Sequence, residues 1–90
     1  MRWYNTLSLR RANLPTVFKI DGFRFFFFSD EHTPVHIHVE KGDGYMRVEL
    51  QTLKITQKQN FTKSDEKKII AIIKEHRDEL IGAWNEYFNR

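Results

Sequence analysis

Three of the chain's four histidines fall within seven residues, His32-Thr33-Pro34-Val35-His36-Ile37-His38. Imidazoles gathered this closely suit two kinds of chemistry. Three neutral rings can bind a zinc-class ion and leave a fourth position for water. Alternatively, a histidine pair beside cations can move protons on a phosphodiester. His36 and His38 stand at i and i+2 of an alternating stretch, so their side chains share one strand face, with Cα atoms about 6.5–7 Å apart. Pro34 stiffens the approach from His32, because proline fixes its own φ and restricts the residue before it. The H-x3-H-x-H spacing permits a metal set of His32, His36 and His38 without requiring one. The plainest reading pairs the rings with Glu40, Glu49 or backbone. His76 stands apart on a helical apolar stripe and reads as a half-buried structural residue.

The elements that must position these rings are legible from periodicity. Thr16–Ile20 (TVFKI) is β-branched and aromatic and reads as a strand. Asp21-Gly22 is a strong hairpin signal. A second strand follows over Phe23–Phe28 (FRFFFF), with Phe23, Phe25 and Phe27 on one side and Arg24, Phe26 and Phe28 on the other. After a loop, Val35–Glu40 alternates strictly and puts Val35, Ile37 and Val39 in the core. Lys41-Gly42-Asp43-Gly44 is a turn. Tyr45–Leu50 then alternates again, with Met46, Val48 and Leu50 inward. Leu53–Thr56 adds a short edge strand. Meander pairing sets Arg24, Arg47, Tyr45 and Glu49 on the same side as His36 and His38. Arg24 and Arg47 are then candidates to hold phosphate, and Phe26 and Phe28 to stack bases.

The second half is helical. Thr62 and Asp65 resemble a capping box, and Ile69, Ile72, Ile73, His76, Leu80, Ala83, Trp84 and Tyr87 form a stripe at helical spacing. A continuous helix over 63–89 would span roughly 40 Å, long for so small a sheet. The stripe therefore suggests a break near Arg77-Asp78 or at Gly82, or packing of the last turns on a second subunit. Strands first and helix last indicate an α+β domain: an antiparallel β-meander of about four strands with a C-terminal helix packed on one face. Residues 15–90 make the single domain, and 1–14 form an N-terminal extension.

Composition narrows the function classes. The 90 residues are 40% hydrophobic and 30% charged, as in a single small globular domain. There is no cysteine, which excludes disulfides and thiolate metal sites. Arg10 and Arg11 interrupt any signal-peptide core, and no segment approaches the roughly 20 apolar residues of a membrane span. A cytoplasmic location is expected. The formal net charge of +3 permits an acidic partner or nucleic acid without selecting either. Glycine-rich phosphate loops and serine or cysteine nucleophile signatures are absent.

The stretches PTVFKIDGFRFFFFS (15–29) and EHTPVHIHVEKGDG (31–44), with IIKEHRDELIGAW (72–84), resemble a bacterial family, domain of unknown function 4160. The H-x-P-x-H-x-H element is the family's most specific feature, and His32, Pro34, His36 and His38 match it. Val35 stands where members often have a second proline. The resemblance implies toxin–antitoxin-like gene organisation, hence a small cognate protein partner and an RNA-directed activity. The expectation is a toxin-type module that binds or cleaves RNA, a candidate ribonuclease without a cofactor, using His36 and His38 for acid–base work and His32 in support. Arg24, Arg47, Tyr45, Phe26 and Phe28 would hold substrate. One alternative is a non-catalytic protein-binding module, acting through Phe26, Phe28 and the helix. Another is a metal-binding protein with His32, His36 and His38 as ligands. A homodimer is compatible with each.

Overall fold

Asp21 and Gly22 both adopt positive φ, 54° and 83°, the backbone a two-residue hairpin turn demands. This turn starts a meander. The computed structural model describes residues 16–28 and 31–88. It contains strands β1 (Thr16–Ile20), β2 (Phe23–Phe26), β3 (His36–Lys41), β4 (Gly44–Glu49) and β5 (Ile55–Gln59). All neighbouring pairs are antiparallel, in the sheet order β1-β2-β3-β4-β5. Strand β3, which carries the histidines, is therefore central.

The expected architecture holds at the level of α+β class and meander, with one strand more than the four or so read from the sequence. The fifth strand also begins later than Leu53. Residues 50–52 make a turn that Leu53 closes at φ 63°, held by the Leu53 amide on the Glu49 carbonyl and the Glu49 amide on the Lys54 carbonyl. Alternation could not reveal this, because a leucine at positive φ is sterically disfavoured and leaves no mark in hydropathy. β2 ends at Phe26, and Phe27 and Phe28 belong to the connection that follows.

The cross-strand register sorts the two faces. Phe25 pairs with Val39, Val39 with Met46, and Ile37 with Val48. These residues are buried in one cluster with Ile69, Ile73, Leu80 and Trp84 from the helical half. The opposite face carries Arg24, Phe26, His36, His38, Tyr45 and Arg47, as the alternation required.

The long stripe is two helices, α1 (Lys63–Glu75) and α2 (Arg77–Phe88), broken at His76. Thr62 and Asp65 do form a reciprocal capping box. The Asp65 amide donates to the Thr62 hydroxyl at 3.0 Å, and the Thr62 amide donates to the Asp65 carboxylate at 3.1 Å. That bond from the Thr62 amide holds the Asp65 carboxyl below the usual aspartate range. The break falls one residue before the Arg77-Asp78 position expected. His76 leaves helical geometry (φ −110°, ψ 17°) and its Nδ1 lies 2.9 Å from the Glu79 carboxylate, while its ring packs on Phe18. Among the described residues no helix is long and apolar enough to cross a membrane. The expected extension at 1–14 lies outside the described residues.

Candidate functional site

The site is built from one central strand and the loop that leads into it. His36 and His38 are adjacent on the outer face of β3, with rings 4.9 Å apart. They are not open to solvent: His36 is 2% exposed and His38 3%. Aromatic rings surround them. Phe26, Phe28 and Tyr45 lie 5.4, 4.2 and 5.9 Å from the His38 ring, and Trp84 of α2 lies 5.1 Å from His36.

Between β2 and β3 the chain doubles back, with a cis Thr33–Pro34 peptide bond, and Glu31 comes to lie against both rings. One carboxylate oxygen is 2.8 Å from His36 Nε2, and the other is 2.5 Å from His38 Nε2. The Phe28 amide donates to the second oxygen at 2.9 Å. The other ring nitrogens are held as well. His36 Nδ1 is 2.7 Å from the Pro34 carbonyl oxygen, and His38 Nδ1 is 2.7 Å from the Tyr45 hydroxyl.

This pattern constrains charge. A carbonyl oxygen and a carboxylate only accept hydrogen bonds. His36 faces the first through Nδ1 and the second through Nε2. Either the ring carries a proton on both nitrogens, or the carboxyl is protonated, or a cation replaces the Nε2 proton. Burial opposes ionisation of Glu31. Bonds from His36, His38 and the Phe28 amide, together with the positive charge of His38, more than offset it and hold the carboxyl well below the usual glutamate range. Burial pushes the Tyr45 hydroxyl up; Arg47 opposes the shift and Glu31 adds to it. Tyr45 therefore remains a neutral phenol beside His38.

Glu31, His36 and His38 each offer one ligand atom, and these atoms lie within 4.8 Å of one another. Two imidazole nitrogens and a carboxylate form a ligand type found in catalytic zinc sites. The group behind His36 fits the same role. A ligating histidine commonly donates its other N–H to a carbonyl, which fixes the tautomer. His36 meets Pro34 in this way.

The sequence-predicted residues divide into three groups. His36 and His38 come together. His32 is exposed, and the cluster takes Glu31 in its place. Arg24, Arg47, Tyr45 and Phe26 share the histidine face, as register requires. Phe26 is 2% exposed and packs between the Arg24 guanidinium and His38, whereas Phe28 is 41% exposed. Arg24 is tied to Glu40 at 2.7 Å and Thr16 at 2.8 Å, and Arg47 donates to Thr56 at 2.7 Å. Reading the residues for histidines alone missed Glu31. The signal was its place three residues before Pro34, in a loop that must reverse to enter β3.

Residues 22–85 match the family described as Domain of unknown function (DUF4160). No curated protein and no solved structure matches the chain. The matched span takes in Glu31, His36, His38, Tyr45 and Trp84, so every side chain of the cluster lies within it, and the chain belongs to the DUF4160 family.

Proposed function

We propose that this domain binds a zinc-class divalent ion through Glu31, His36 and His38, and uses it on RNA phosphodiesters. The observation that carries the reading is the buried carboxylate set between two Nε2 atoms whose rings are fixed from behind. A zinc ion held by these three residues would supply an acidified water as nucleophile. Tyr45, Arg47 and the exposed Phe28 flank the His38 side, where a phosphate and a base would meet a neutral donor, a cation and an aromatic ring. The family resemblance adds the expectation of a toxin-type role with a cognate protein.

A second reading is supported by the two acceptors at His36. Without metal, a doubly protonated His36 beside ionised Glu31 is a general acid, and the same residues would act as a metal-free acid–base set.

One experiment separates the two. The purified protein is stripped with EDTA, assayed for zinc and cobalt binding by calorimetry, and assayed on RNA with and without EDTA. Glu31→Gln and a His36→Ala/His38→Ala double variant run alongside. Stoichiometric binding lost in both variants, with cleavage lost in EDTA, is the expected result. Cleavage that survives EDTA but not the double variant selects the acid–base reading. A folded wild-type protein that neither binds metal nor cleaves RNA ends both.

A further inference from the structure

The last strand is a sheet edge. β5 pairs with β4 through Tyr45↔Gln59, Met46↔Lys58, Arg47↔Gln57 and Val48↔Ile55, and its other side pairs with no described strand. Five residues of strand give about 17 Å of backbone donors and acceptors. Beside this edge, a groove of about 350 Å³ runs between β5 and α1, with Ile55, Ile70 and Ala71 as its apolar lining and Glu66, Lys67 and Lys74 at its polar margin. Lys58 on the strand and Lys54 just before it are exposed, as are Lys67 and Lys74 on the helix. Glu66, the sole acid lining the groove, already pairs with Lys58 at 2.5 Å. The face is therefore an edge of backbone groups beside an apolar groove with a surplus of positive charge.

We infer that β5 and the α1 groove form a docking site for an extended acidic segment of another protein, added as a sixth strand. Strand addition supplies main-chain hydrogen bonds from the edge, and alternate side chains supply selectivity. Here alternate apolar residues would enter the groove beside Ile55 and Ile70, and acidic residues would face the lysines. Charge selects this occupant. A second copy paired through β5 would bring two sets of these lysines together. The chain's own residues 1–14 contain Arg2, Arg10 and Arg11 and no acidic residue, so they do not complement the face. The inference is independent of any metal.

The test uses full-length protein and a labelled short peptide alternating valine and glutamate, with an alternating valine–lysine peptide as control. Binding is followed by anisotropy and by amide chemical shifts. The expected result is binding of the acidic peptide only, with the largest shifts at Ile55–Gln59. Reversing Lys67→Glu and Lys74→Glu together should weaken binding roughly tenfold, because two exposed ion pairs are lost and like-charge repulsion is added. These two positions are exposed, and circular dichroism confirms that the variant folds. Four results would overturn the inference: no binding, equal binding of both peptides, shifts centred on the His38 face, or a dimer of the free protein that protects the β5 amides.

Discussion

Glu31 decides the character of the site. Its carboxylate is nearly buried, at 8% side-chain exposure, yet its charge is favoured by three donors. In the metal-free protein its folded-state pKa lies below the ordinary value of 4.5. The ionised group therefore stabilises the fold above pH 4.5, and that contribution is lost as pH falls below it. Removing one partner of a buried ion pair costs about 3 kcal/mol. Glu31→Ala should thus be destabilised by about this amount at neutral pH, with a gap that narrows steadily as urea unfolding is repeated below pH 4.5. An unchanged gap in acid would show that the carboxylate charge contributes nothing. At this scale the sequence was half legible. Strand alternation placed His36 and His38, since one face of β3 had to hold Ile37 and Val39. Glu31 was hidden because its placement depends on how the loop reverses, and a loop has no periodicity to read.

Among the elements, two glycines predict opposite outcomes. A Cβ on Gly44, at the start of β4, would lie 2.2 Å from the Phe61 ring, so the strand and that ring cannot both stay in place. Gly44→Ala should cost about 1–3 kcal/mol in chemical denaturation. Gly82 sits exposed within α2 with nothing within 4 Å of an added Cβ. Gly82→Ala should stabilise by about 0.5–1 kcal/mol, because alanine loses less backbone freedom in a helix. A destabilised Gly82→Ala would mean that α2 is not helical there in solution. Thr62→Ala should cost about 1 kcal/mol by removing the cap of α1. Turns and caps were readable because Asp21-Gly22 and Thr62…Asp65 have local chemistry. The helix break was readable only as a length conflict. His76 itself is an ordinary residue for a helix, and its geometry is set by packing on Phe18 and pairing with Glu79.

At the scale of the molecule, the site gathers the sheet, a loop and the last helix. Trp84 reaches from α2 to the His36 ring and also packs edge-on against Phe27. Its indole is therefore an internal probe. In a Trp3→Phe background, cobalt or copper at Glu31, His36 and His38 should quench Trp84 fluorescence with one-to-one stoichiometry, and Glu31→Gln should remove the effect. Quenching that persists in Glu31→Gln would place the ion elsewhere. The meander itself was foreseeable, because every strand follows its neighbour through a short turn or loop and no crossover is needed.

The enclosure of the histidines has a kinetic side. Both rings lie at 2–3% exposure under a cover of Phe26, Phe28, Tyr45 and Trp84, beside the Glu31 carboxylate that would complete the ligand set. Chelator and RNA alike would reach an ion held there only when that cover opens. Its escape would then keep time with a conformational opening, at a rate that stops rising once chelator is in excess, and the residence time of the metal would measure how long that aromatic cover stays shut.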